Sequence, residues 1–344
     1  MMRNFLVTGG AGYVGSHLVA ALLDQGAGVT VLDNLLTGHR AAVPAGVGFI
    51  QADLADGAAV DEVLGRGHRG AQGAAGGNAA GHAPWDAVFH FAALSQVGES
   101  MRMPMRYLLD NAANGIRLID GCVRHGVGRF VLSSTAALYN VRDAAPIPET
   151  APIDPQSAYG DSKWMIERAL RWAGQVHGLR YACLRYFNAA GADPAGRLGE
   201  DHRPESHLIP LVIDAALGRR PPLDIFGDDY PTPDGTCIRD YVHVADLAEA
   251  HLLALRQLDQ APVTWNLGSG SGHSVRQVIA AVERVSGLSV PYRMAPRRPG
   301  DPAVLVAASG RARQAGWQPA HGDLDDIVGT ALTWRQAHPD GYGD

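Results

Sequence analysis

The sequence predicts an α/β protein organised on a doubly wound parallel (Rossmann-type) sheet, with a smaller α/β lobe towards the C-terminus. Three observations carry that expectation. Short apolar, partly β-branched runs alternate with helical stretches through the first half of the chain. The first run leads into glycines at 9, 12 and 15 that open a helix. The residues able to do chemistry fall where the runs end, and in such sheets ligands sit beyond the carboxyl ends of the strands.

Residues 5–8 (FLVT) have the composition of a buried parallel strand, and 16–23 that of a helix. Between them, the glycines allow a tight turn and close approach of backbone to a pyrophosphate, with the helix N-terminus facing its charge. Residues 29–32 form a second strand that Asp33 ends. A carboxylate there accepts both ribose hydroxyls and repels a 2′-phosphate, so loop and acid together favour NAD over NADP. A third strand over 47–54 brings Asp53 beside the adenine. Residues 65–84, rich in Gly, Ala and His without periodicity, are expected to be a surface insertion, with His68 and His82 as solvated loop histidines. The fourth strand, 87–93, carries small residues where backbone would pass the cofactor. A helix around 107–125 holds Asn111, and a fifth strand over 129–132 runs into Ser133, Ser134 and Thr135. A sixth strand covers 181–188. Prolines and glycines then loosen the pattern to about 235, and a helix from 324 to 336 closes the chain.

Residues 155–163 (PQSAYGDSK) are the chemical centre of this reading. Pro155 and Ser157 mark a helix entry, which stacks Tyr159 and Lys163 on one face, one turn apart. A free phenol has a pKa near ~10 and is a poor base at neutral pH. A neighbouring ammonium, helped by a cationic nicotinamide, favours the phenolate. The pair can then take the proton of an alcohol while hydride leaves for the cofactor. Taken alone, Tyr-x-x-x-Lys more often lies on a solvated helix face; the surrounding strand ends lift it out of that reading.

With 344 residues the chain can bury a large core. Its formal charge of -6 provides no basic face for nucleic acid. Cys122, Cys183 and Cys237 are widely spaced and odd in number, suggesting neither a disulfide framework nor a metal site. The N-terminus enters a strand without a leader pattern, and no window reaches the length of a membrane span, so a reducing cytoplasm is expected.

Several blocks together resemble the extended short-chain dehydrogenase/reductase family, and within it the UDP-hexose 4-epimerases. They are TGGAGYVGSH (8–17), HFAALSQVGES (90–100), SAYGDSK (157–163), LRYFNAAGADP (184–194), HLIPL (207–211), IFGDDYPTPDGTCIRDYVHVADLA (225–248) and RRPGD (297–301). The glycine loop and Tyr-x-x-x-Lys place only the superfamily; the 225–248 block is much more specific. The resemblance implies NAD contacts at Gly9, Gly12, Tyr13, Val14, Asp33, Asn34, Asp53, Leu54, Phe91, Ala92, Ala93, Asn111, Ser133, Tyr159, Lys163, Tyr186 and Phe187. It implies UDP-sugar contacts at Thr135, Asn188, His207, Leu208, Phe226, Arg239, Tyr241, Arg298, Asp301 and Leu305, with Leu305 limiting the sugar pocket. No metal is implied. Tyr159 would be the base, Lys163 its electrostatic partner and Thr135 the third hydroxyl, where the family usually has serine. Ser95 departs from relatives that carry lysine there. Arg239 and Arg298 suit a diphosphate, because guanidinium makes paired hydrogen bonds to phosphate oxygens.

The implied organisation is an NAD domain over 1–185, joined again by 236–260, and a nucleotide-sugar lobe from 186–235 and 261–344. A homodimer is also implied. Rival activities are a 4-epimerase of another UDP-sugar, a UDP-glucuronate decarboxylase, a 4,6-dehydratase and a non-catalytic NAD-binding scaffold. The dehydratase needs an added acid and base after the hydroxyl, where this chain has Ala136 and Ala137. The scaffold would have lost Tyr159 or Lys163.

Overall fold

The computed structural model describes residues 3–66, 85–140, 146–298 and 300–343. Its strands, in chain order, begin with β1 (Asn4–Thr8), β2 (Gly28–Asp33), β3 (Gly48–Gln51), β4 (Ala87–His90), β5 (Arg129–Thr135) and β6 (Arg180–Tyr186). There follow β7 (Asn188–Ala190), β8 (Leu223–Phe226), β9 (Ile238–His243), β10 (Val263–Leu267), β11 (Gly272–Ser274), β12 (Tyr292–Ala295) and β13 (Val304–Leu305). The longer helices are α1 (Tyr13–Asp24), α2 (Gly57–Arg66), α3 (Asn114–Arg124), α4 (Ala158–His177), α5 (Leu208–Ala216), α6 (Val244–Gln257), α7 (Val275–Ser286) and α8 (Leu324–Ala337).

Seven strands form a parallel sheet in the order β10-β6-β5-β4-β1-β2-β3. Alternation along each strand divides the side chains between two cores. Phe5, Val7, Val31 and Phe89 pack with Leu18 and Leu22 of α1 and Leu247 and Leu255 of α6. Leu6, Leu32, Val88 and Phe130 face the other way, against Leu118 of α3 and Ile166 and Leu170 of α4. β2 and β4 leave β1 on opposite sides, which opens the crevice where open parallel sheets bind ligands.

The lobe has its own core, in which Ile209, Val212, Ile213, Val278, Val282 and Ile327 are buried. Around β9 lie β7, β11 and β13, while β8 and β12 pair separately.

Three expectations need correction. The strand β10 was expected in the lobe, yet it extends the main sheet beside β6, with Val263, Trp265 and Leu267 in the first core. The stretch 236–260 divides: β9 belongs to the lobe sheet, and only α6 packs on the main one. The helix expected around 107–125 is interrupted by a π-helical turn, Leu108–Ala113, which carries Asn111. The insertion expected at 65–84, with His68 and His82, falls outside the described residues from 67 onward; Gly65 and Arg66 end α2.

Candidate active site

The glycine turn sits at the carboxyl end of β1. Gly9 has a φ of +75°, and a Cβ there would lie 2.3 Å from the Ala92 amide nitrogen, so only glycine fits. That contact comes from Phe91 and Ala92, whose amides both donate to the Thr8 carbonyl (2.8 and 3.1 Å), with Ala93 next in the chain. Gly12 is the N-cap of α1 and has no side chain to cap it, so the amides of the first turn, at Tyr13 and Val14, point out of the crevice end of the helix. Buried Asp33 accepts from the amides of Ala11 (3.0 Å) and Leu35 (2.9 Å). Asn34 donates to exposed Asp53 at 2.8 Å, and Leu54 is buried beneath. The Tyr13 hydroxyl donates to the Gly191 carbonyl at 2.6 Å, tying the turn to the chain after β7.

Tyr159 and Lys163 occupy the start of α4, which Ser157 caps by accepting from the Gly160 amide at 3.1 Å. Gly160 lets this helix approach the turn after β5: a Cβ would lie 2.3 Å from the Ala137 carbonyl oxygen. The close approach places Thr135, at the end of β5, against Tyr159. Burial pushes the Tyr159 phenol up, and its hydrogen bond with Thr135 partly opposes that. The Thr135 hydroxyl also accepts from the Ala137 amide at 3.1 Å. The ring of Tyr107 stands edge-on to Tyr159, with centroids 6.5 Å apart. Lys163 is 1% exposed and donates to the Ser133 carbonyl at 2.9 Å. Burial lowers its ammonium to about 8.

The expectation of a phenol lowered by its lysine is therefore corrected for the chain by itself. Thr135, not Lys163, pulls the phenol down, and desolvation outweighs it. Asn111 is also more a brace than an open contact. Its Oδ1 accepts from the Leu94 amide (2.8 Å), while its Nδ2 donates to the Leu94 carbonyl (2.9 Å) and Ser162 (3.2 Å).

Of the expected UDP-sugar residues, Asn188, Tyr241, Arg239, Asp301 and Leu305 are joined through β7, β9 and β13, while Phe226 with Arg298 and His207 with Leu208 lie on other elements of the lobe. Tyr186 ends β6, and the Phe187 amide donates to the Leu267 carbonyl at 3.1 Å. Asn188 donates to the Asp240 carbonyl at 3.0 Å. His207 is the N-cap of α5 and precedes Leu208. The Arg298 guanidinium lies over the Phe226 ring, 4.0 Å from its centroid. Arg239 is ion-paired to Asp301, and the Tyr241 ring is buried two residues on. Leu305 stands opposite Arg239 in the β13–β9 register and packs in one cluster with Ala136, Tyr139, Ile147 and Phe187. The cluster thus joins the arginine edge to the turn directly after Thr135.

Two features escaped the sequence. Glu167, one turn beyond Lys163, pairs in the interior with Arg185 of β6 and accepts from Ser134 at 2.6 Å. Arg185 also donates to the Tyr139 hydroxyl (2.7 Å), which donates to Asn266 on β10 (2.8 Å). The i, i+4, i+8 row of Tyr159, Lys163 and Glu167 was the available signal. The second is a cluster of Glu200, His202, Glu205 and His207, whose close spacing was visible but lay in a proline-rich loop.

Comparison with known proteins decides the family. The family described as NAD dependent epimerase/dehydratase matches residues 5–71 and 73–268. A UDP-glucose 4-epimerase of Azospirillum brasilense is 49% identical over 335 residues, covering 96% of this chain and 92% of the relative. The chain belongs to the NAD dependent epimerase/dehydratase family, in its UDP-glucose 4-epimerase branch. A crystal structure of a UDP-glucose 4-epimerase superposes on this epimerase-family chain with a TM-score of 0.91 at 44% identity, covering 99% of both chains. The UDP-glucose 4-epimerase of Bifidobacterium longum, solved in complex with NAD+ and UDP, gives a TM-score of 0.89 at 33% identity, covering 98% of this chain and 100% of that one. The seven-stranded parallel sheet is thus a Rossmann-type sheet, as expected.

Proposed function

We infer that this chain is an NAD-dependent UDP-glucose 4-epimerase, interconverting UDP-galactose and UDP-glucose through a transient 4-keto sugar. The observation that carries it is the group of part-buried Tyr159 with buried Thr135 and Lys163, in a chain that aligns over nearly its whole length with a UDP-glucose 4-epimerase. NAD, when bound, supplies a hydride acceptor and donor and a positive charge on its ring. The residues present fit such a group: a glycine at 9 where a Cβ would clash, uncapped helix amides at α1, and the carboxylate of Asp33 at the end of β2.

In this reading Tyr159 takes the proton of the sugar 4-hydroxyl, directly or through Thr135, and returns it to the same oxygen once the 4-keto sugar has turned its other face to the cofactor, where hydride return would invert C4. Burial keeps the phenol protonated until a further positive charge is near it, which confines the base to the loaded site. Lys163, held by the Ser133 carbonyl, orients the cofactor ribose and lends its charge. Arg239 and Arg298 grip the diphosphate, Asp301 holding Arg239 and Phe226 supporting Arg298. The nucleotide must stay fixed while the 4-keto sugar turns over, so recognition belongs at the lobe edge and away from C4.

The 1–185 and lobe assignment is retained in this reading with β10 moved to the NAD domain and β9 to the lobe. A cytoplasmic address agrees with three free cysteines, and among the described residues no helix is long and apolar enough to cross a membrane. A homodimer is supported by an exposed apolar face on neighbouring helices: Met105 and Leu109 before α3, Ile116 on α3, and Trp172 and Val176 on α4. Purified protein incubated with UDP-galactose and no added NAD should yield UDP-glucose, because the cofactor is regenerated at every turnover. Absence of product both without and with added NAD would refute the assignment.

A further inference from the structure

Between β7 and α5, the run Gly-Glu-Asp-His-Arg-Pro-Glu-Ser-His (199–207) folds back on itself. Glu200, His202, Glu205 and His207 each offer one donor atom, and these atoms all lie within 4.8 Å of one another. Glu200 Oε1 faces the Nδ1 atoms of both imidazoles, at 3.1 Å for His202 and closer for His207. Glu205 Oε1 lies 3.6 Å from His202 Nδ1 and accepts from the amides of Ser206 (2.7 Å) and His207 (2.9 Å).

A second observation points the same way. The Glu205 side chain is 10% exposed, and its Oε2 is buried with no hydrogen-bond partner among the described residues. An unanswered carboxylate oxygen in the interior is costly, and a cation satisfies it. The ring planes are also fixed. His202 and His207 meet edge to face at 82°, and Tyr13 stands edge-on to His202 from the glycine turn. His207 keeps a side open to solvent, which provides a route of entry.

We propose that Glu200, His202, Glu205 and His207 form a structural site for a divalent transition-metal ion of the zinc class. Two imidazole nitrogens and two carboxylates make an uncrowded N2O2 set suited to four-coordinate zinc. Calcium and magnesium favour six or more oxygen ligands, a set this loop does not offer. The bound ion would clamp the 199–207 loop to the N-terminus of α5. The site shares His207 with the UDP-sugar contacts that the family resemblance implies, so its test reads metal binding and not turnover.

The test uses the full-length protein, stripped with EDTA and titrated separately with zinc and cobalt(II). The expected results are one zinc per chain retained through gel filtration and the visible spectrum of four-coordinate cobalt. The double variant His202→Gln/Glu205→Gln should bind zinc at least ~100-fold more weakly, and His321→Gln should bind as wild type. Zinc not retained by the wild type, octahedral cobalt, or undiminished zinc binding by the double variant would each overturn the proposal. The zinc stoichiometry and cobalt spectrum of the wild type stand even if the double variant fails to fold.

Discussion

Lys163 donates to the Ser133 carbonyl at 2.9 Å from a side chain that is 1% exposed, so its charge is held inside the protein against a backbone acceptor. The relationship orders the site: one turn earlier is Tyr159, and two residues past Ser133 is Thr135. It also carries a stability cost, since burial lowers the ammonium from 10.5 to about 8.

That cost should be visible in Lys163→Met. The unfolded chain holds the lysine proton more tightly than the folded chain, so the penalty is fully present below pH 8 and fades as pH rises through 8 towards 10.5. The variant should be more stable than wild type by up to about 3 kcal/mol at pH 7, the equivalent of that shift. The advantage should shrink towards pH 10 while turnover is lost at every pH. Urea unfolding at several pH values checks this, and a constant difference would contradict it.

The buried Glu167–Arg185 pair gives a second expectation. Glu167→Gln leaves the Arg185 cation in the interior without its counter-charge, at a cost of about 3–5 kcal/mol. Because Glu167 also accepts from Ser134, beside Thr135, turnover should fall too. Replacing both partners, as Glu167→Leu/Arg185→Met, should recover most of the stability. A single variant within about 1 kcal/mol of wild type would show that water reaches this pair.

In the proposed function Leu305 is the residue expected to set substrate size. It packs in one cluster with Ala136 and Phe187, and in the proposed reading its intermediate bulk would limit the room for an N-acetyl group. UDP-N-acetylgalactosamine should react weakly at best, and Leu305→Ala should favour it relative to UDP-galactose. Equal wild-type rates on the two substrates would remove Leu305 from this role.

Much of this was legible in the sequence because it follows from local periodicity. The first six strands, the turn at Gly9 and the one-turn spacing of Tyr159 and Lys163 are written in neighbouring residues. The strand β10 was not, since five residues cannot announce which of two sheets they join; Trp265 reaches the main core only through tertiary packing. Glu167 looked like any acidic residue on a helix until β6 brought Arg185 beneath it. The direction of the Tyr159 shift depends on burial, which spacing does not report. The 200–207 cluster depends on a loop folding back between prolines.

The most direct measurement of the central claim is the turnover of Tyr159→Phe together with its bound NAD. The account predicts unchanged NAD content and a loss of roughly 100-fold or more in conversion of UDP-galactose, the scale of a missing general base. Near-normal turnover in the NAD-loaded variant would contradict it.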